Sequence, residues 1–283
     1  MKESRGKRAR RLGRASWELI RSDRRLIAFP LVGSIVGLVL GGAAFALSYT
    51  LLGGHGLGHG QSHSRAVIVI GGLIATYPVT FVTLFCGVAL AEVLRRSLAG
   101  EPASAADGWR AARSRLGLIA AWTLLVCTVG AFLRLVEERI PLGGKLAAAL
   151  AGVAWSLATM FAVPVIAYEN LGPMETLRRS AALFRERWGE QLGGAVTIGA
   201  GAGLVMIPAV LCIVVGVSVG GPSGIVLVVV GGALVIGIQA FASALNEVYR
   251  VFLYRSAVGI EPVGGPFDEH DLSRPTWGKR RRD

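Results

Sequence analysis

The run "LIAFPLVGSIVGLVLGGAAFALSYTLL", residues 26–52, contains no charged side chain and no strict alternation of apolar and polar positions. A helix needs about 20 apolar residues to cross a hydrocarbon core of about 30 Å. A helix on the surface of a soluble domain would carry a charged face, and this run has none. It therefore reads as a transmembrane helix, and the fold depends on whether the chain repeats it.

The chain does so five more times, at about 66–91, 116–136, 146–168, 192–219 and 225–245. The runs are continuous, which argues for helices and against barrel strands of period two. Composition agrees: 53% of the residues are hydrophobic and only 17% charged, with a mean hydropathy of +0.56. The expected fold is all-α: a polytopic membrane protein with six transmembrane helices and interfacial amphipathic helices on the cytoplasmic side. A basic N-terminal tail over 1–25 precedes a transmembrane domain over 26–256, and a basic tail over 257–283, expected to be disordered, follows it. "AFA" at 44–46 faintly resembles a signal-peptidase site, but the apolar stretch is too long and starts too late for a cleaved signal.

Lys and Arg give the orientation. The N-terminal tail, the second and fourth connections and the C-terminal segment from Arg250 hold 26 of them, against 4 (Arg65, Arg134, Arg139 and Lys145) on the other side. The bias alternates at every crossing, so both termini are expected in the cytoplasm and the protein in the plasma membrane. Cys86, Cys127 and Cys212 all fall within apolar runs without paired spacing, which suits packing and neither a disulfide framework nor a thiolate metal site.

Gly33, Gly37 and Gly41 recur every fourth residue in the first span, and Gly199 and Gly203 repeat that spacing in the fifth. Small residues so spaced let helix backbones approach closely, either inside this bundle or across a homodimer seam. Pro78, Pro164 and Pro208 fall inside spans two, four and five, where each removes a backbone donor and is expected to bend its helix.

Two connections are amphipathic. In "GPMETLRRSAALFRERWGE" (172–190), Met174, Leu177, Ala181, Phe184 and Trp188 share one helical arc, with Pro173 at the favoured first turn. Arg178, Arg179, Arg185 and Arg187 lie beside or opposite that arc and are candidate contacts for anionic lipid. Capping of the bundle's cytoplasmic face is the competing reading. "GEPASAADGWRAARSRL" (100–116) is a weaker version, with Trp109, Ala112 and Leu116 on its apolar side.

Span two closes with "ALAEVLRRSLAGEP" (89–102), span six with "ALNEVYRVFLYRSAVGIEP" (244–262), and span four with "VIAYENLGP" (165–173). Each leaves the bilayer with a carboxylate: Glu92, Glu169 and Glu247. Ionisable groups at that depth can mark ion or proton paths. They can also be structural, since Glu92 has Arg95 and Arg96 at i+3 and i+4, and Glu247 has Arg250 at i+3.

Catalytic motifs are scarce. "GVSVG" (216–220) matches G-x-S-x-G, but Ser218 sits in a helical span, and the only later histidine, His270, belongs to the opposite side. There is no H-E-x-x-H, no P-loop and no G-x-G-x-x-G. "GGHGLGHGQSH" (53–63) places His55, His59 and His63 at even spacing in an outer loop. Its glycines oppose a helix at about 1 kcal/mol each, so it reads as an exposed hairpin, with weak Zn²⁺ or Cu²⁺ binding as the alternative. No cofactor is implied. Beside six spans, topology and anionic lipid account for the basic "KRARRLGR" and "KRRR" better than nucleic acid does.

The order of elements has a likeness. "SWELIRSDRRLIAFPLV" enters span one, "GEP" and "GWRAA" follow span two, and "EER" follows span three. Then come "AWSLATMFAVPVIAYENLGPMETLRRSAALFRERWGE" and "FLYRSAVG". Together, from Ser16 to Pro262, these resemble the prokaryotic membrane-protein family catalogued as domain of unknown function 6159. The resemblance implies an integral plasma-membrane protein and brings no activity or catalytic residue. The expected role is non-enzymatic, a structural or accessory membrane component acting with lipid and with a partner protein or a second copy. The alternatives are a small transporter or channel using the carboxylates, and a lipid-handling enzyme.

Overall fold

A computed structural model describes residues 25–53, 61–139, 144–186 and 191–260. In chain order the helices are α1 (Arg25–Gly53), α2 (Gln61–Leu98), α3 (Ala105–Ser114), α4 (Leu116–Arg139) and α5 (Gly144–Ala158). They continue with α6 (Ala162–Glu169), α7 (Pro173–Glu186), α8 (Gln191–Val219) and α9 (Gly221–Val258), and no strand occurs among the described residues. Six helical stretches are long and apolar enough to cross a membrane: α1, α2, α4, α5 with α6, α8 and α9. They mark a multi-pass membrane protein. Leu38, Leu124, Leu204 and Val217 are each at least 60% exposed, an apolar surface that only lipid covers without penalty.

Two helices outrun their expected spans. α2 continues past 91 to Leu98, and α9 continues past 245 to Val258, into the start of the expected tail. Charged residues end a hydropathy run without ending helix propensity, so the sequence boundary falls short.

The fourth span is two helices rather than one bent helix. Pro164 has no N–H to give the Met160 carbonyl, and its ring crowds that carbonyl, so α5 stops at Ala158 and α6 starts at Ala162. The Phe161 N–H freed at the break donates to Ser180 Oγ of α7 at 3.0 Å. Pro78 and Pro208 lie inside the uninterrupted helices α2 and α8. α6 ends on Asn170 in the left-handed conformation (φ 51°), which asparagine tolerates, and the chain turns directly into α7.

Two antiparallel hairpins bring backbones close. In α1–α2, a methyl on Gly33 would lie 3.1 Å from Cys86 Sγ, Gly37 faces Val79 in ordinary contact, and Gly41 is pressed against Val79. In α8–α9, Gly231 faces Ala209 and Ile213, and Gly220 and Gly221, both at positive φ, make the tight turn. A methyl on Gly203 of α8 would meet no other helix within 4 Å among the described residues.

Buried side chains concentrate at one end of the bundle, where α1 and α4 begin and α2, α6 and α9 finish. Leu26, Phe29, Leu90, Leu94, Ile119, Trp122, Ile166 and Val251 form its centre. α3 docks on this end through Gly108 and Ala112, with Trp109 against Phe29 and Phe85 at ring separations of 5.0 and 5.6 Å. A methyl on Gly108 would meet the Ala89 carbonyl at 2.6 Å. Gly108→Ala should therefore push α3 off α2 and destabilise the fold by about 1–3 kcal/mol, the usual range for overpacking. Gly117→Ala, with open space around it, should leave the melting temperature in detergent unchanged or raised; equal melting of the two variants would contradict the packing.

Candidate functional site

The polar groups at the crowded end arise from three helix ends. Near the end of α2, Glu92 is 4% exposed. Arg95 grips it with two hydrogen bonds, Nε to Oε2 at 2.9 Å and Nη2 to Oε1 at 2.7 Å. Arg96 Nε adds a third to Oε1 at 3.2 Å. Positions i+3 and i+4 put both guanidinium groups on the carboxylate's own face.

Glu169, the last residue of α6, is held from two other elements. Arg179 Nε of α7 donates to both its oxygens at 3.0 and 3.1 Å, and the Tyr254 hydroxyl of α9 donates to Oε1 at 2.7 Å. Tyr254 packs on Tyr168 with ring centroids 4.9 Å apart. The buried Tyr168 hydroxyl stands beside Arg255, with Arg95 and Glu92 also in its surroundings. Glu92 and Glu169 thus belong to one cluster that meets around Tyr168. Nothing local in the sequence marks Tyr254 or Arg179 as a partner of Glu169; the hydroxyl lies 85 residues away in the chain.

Glu247 differs. It is 7% exposed, and its nearest cation, Arg250 Nη1, stands 3.8 Å from Oε2. Its Oε1, the Asn246 Oδ1 and the Arg250 Nε are all buried without a hydrogen-bond partner among the described residues. Glu247 lies seven residues before Tyr254, about two turns along the same face of α9.

On α7 the buried arc is displaced from the expected one. Leu177 and Phe184 pack inward, but Met174 is 52% exposed, and Thr176, Ser180 and Leu183 take the buried face. The two hydroxyl residues can be buried because each satisfies a backbone group: Thr176 Oγ1 donates to the Leu171 carbonyl, and Ser180 Oγ accepts from Phe161. Arg178 and Arg185 are exposed, whereas Arg179 is committed to Glu169. Arg187 and Trp188 lie outside the described residues, as do His55, His59 and the side chain of His63. Among the described residues no group of three His, Cys, Asp or Glu is placed to hold a metal ion.

α3 begins with a reciprocal cap. Ser104 Oγ accepts from the Asp107 N–H, and the Ser104 N–H donates to Asp107 Oδ2. The Ser104 hydroxyl, donating at 2.6 Å, holds the Asp107 carboxyl below the usual aspartate range, aided by the Ser104 N–H, Arg96 and Arg110.

The model of the family of unknown function DUF6159 matches residues 65–263. The chain belongs to this family. The match runs from the first turns of α2 to past the end of α9 and includes Glu92, Glu169, Glu247, Arg179 and Tyr254. α1 and the histidine loop precede it in this DUF6159 member, although the likeness read from the sequence starts at Ser16. No curated protein and no solved structure matches the chain.

Two outcomes follow from the geometry. Tyr254→Phe should destabilise the protein by about 1.5–3 kcal/mol, the range for a hydrogen bond to a charged group. In a double-mutant cycle with Arg179→Gln, monitored by thermal melting in detergent, the two changes should be non-additive, since both act on Glu169; strict additivity would contradict a shared brace. The lowered Asp107 carboxyl stabilises the α3 cap above the pKa of an unfolded aspartate, about 4, and that stability is lost as pH falls through the lower folded value. Amide protection of 105–114 should accordingly drop on acidification below about pH 4 in the wild type and respond much less in Asp107→Asn. An identical response in both would show that the cap is not the acid-sensitive element.

Proposed function

We propose that this protein is a non-enzymatic structural or accessory component of the plasma membrane, with both termini in the cytoplasm and its crowded end against the cytoplasmic leaflet. α3 and α7 then lie at the interface, where exposed Arg178 and Arg185 attract anionic lipid head groups. The observation that carries this reading is the commitment of Glu92 and Glu169 to Arg95, Arg96, Arg179 and Tyr254. Glu169 so engaged ties three helices together, Glu92 is closed off within its own, and both present little to a substrate. The lipid-exposed glycine and apolar faces of α8 suit contact with a partner membrane protein or a second copy.

A second reading, a small transporter or channel, is favoured by one feature: the buried, unpartnered Oε1 of Glu247 beside the unpartnered Oδ1 of Asn246. Unsatisfied acceptors inside an apolar span are expensive and commonly serve an ion or proton.

Purification in mild detergent from the native host, with mass spectrometry of co-purifying proteins and lipids, separates the two. The accessory reading expects a stable partner or an oligomer, together with anionic lipid. A lone monomer carrying a solute would overturn it. In proteoliposomes the same reading expects no ion or proton flux above empty vesicles; flux abolished by Glu247→Gln would establish the second. An impermeant thiol reagent should reach Lys2→Cys and Arg281→Cys only after the cells are opened; labelling of intact cells would reverse the orientation.

A further inference from the structure

The outer face of α3 carries a stripe of four residues, Ala106, Trp109, Arg110 and Arg113, at i, i+3, i+4 and i+7. They line an open hollow of about 580 Å³. The stripe is turned away from Gly108 and Ala112, which bind α3 to the bundle. Trp109 stands at the hollow's edge, fixed in place by Phe29 and Phe85. The hollow is therefore a wall of one rigidly docked helix and does not depend on a mobile loop.

Its charge is positive. Arg110 and Arg113 are both exposed, Arg110 with 76% of its side chain accessible. Asp107 accepts from Arg110 at 3.0 Å but is also bound by Ser104 and faces Arg96 at 3.8 Å. No carboxylate among the described residues lies within ion-pair distance of Arg113. Three residues beyond Arg113, Leu116 opens α4 with 44% of its surface exposed, so the arginines stand where apolar span surface begins. An indole ring, two guanidinium groups and adjoining apolar surface match an amphiphile with a phosphate at its polar end.

We infer that this hollow on α3 binds the phosphate of an anionic phospholipid, with Arg110 and Arg113 as donors and Trp109 against the glycerol and upper acyl region. The inference rests on the proposed placement of the crowded end against an anionic leaflet, and it names the locus there. The arginines of α7 singled out from the sequence are secondary, since Arg179 is engaged with Glu169.

The test uses the full chain in nanodiscs of equal phosphatidylglycerol and phosphatidylcholine, with the lipids retained on gentle release counted by native mass spectrometry. Wild type should retain phosphatidylglycerol preferentially. R110Q/R113Q should lose about tenfold or more in that preference, each arginine near a membrane surface being worth about fivefold. R178Q/R185Q should lose less. Ala106→Glu, at an exposed helical position, places a carboxylate in the hollow and should reproduce the loss without touching either arginine. A wild type that prefers phosphatidylglycerol, with R110Q/R113Q and Ala106→Glu unchanged, overturns the α3 site alone. Retention that millimolar inorganic phosphate abolishes also overturns it, in favour of a free-anion site. A wild type with no preference between the lipids overturns the proposed lipid-facing end together with the site.

Discussion

Pro164 leaves the Met160 carbonyl without its helical donor in the middle of the fourth apolar run, and the rest of the crowded end follows from that vacancy. An open backbone group within an apolar span is costly unless something else engages the neighbouring break. The chain answers with Ser180, whose hydroxyl takes the Phe161 N–H, and this can happen only if α7 folds back against α5 and α6. Once α7 is there, Arg179 stands beside Glu169 and Leu183 and Phe184 close over Met160 and Val165. Tyr249 and Tyr254 of α9 complete the same cluster. A backbone defect in one span thus organises contacts between three elements.

Much of the architecture is legible in the sequence because lipid imposes a strict rule. A spanning helix must be long, apolar and uninterrupted by charge, so the six runs stand out without any tertiary knowledge. The pairing of Glu92 is legible for a similar reason, because i+3 and i+4 geometry is local. The Glu169 partners are not, since Tyr254 arrives from a distant helix whose register is set by packing. The buried arc of α7 is hidden too. Thr176 and Ser180 read as polar by composition, yet each hydroxyl is neutralised by a backbone group that exists only because the chain breaks and turns there.

The three carboxylates that close spans two, four and six therefore have three environments. Glu92 is satisfied within its own helix, Glu169 between helices, and Glu247 incompletely. A shared motif, A-L-x-E-V-x-R, specifies the residue and its helical neighbours but not what the rest of the bundle brings to it. The difference between the first and last copies lies in geometry: 2.7 Å from Arg95 to Glu92 against 3.8 Å from Arg250 to Glu247. Any chemistry carried by this end of the molecule starts from that inequality.

The concentration of buried side chains at one end also has a mechanical meaning. Paired helices whose buried side chains concentrate at one end are levers with a common fulcrum. α9 has 38 residues, about 57 Å at about 1.5 Å per residue, so a rotation of about 5° at its gripped end sweeps the far end through about 5 Å. Bilayers of different thickness impose tilts of that order on spanning helices. A tilt of that size would be borne at the crowded end, where the Tyr254 hydroxyl holds Glu169.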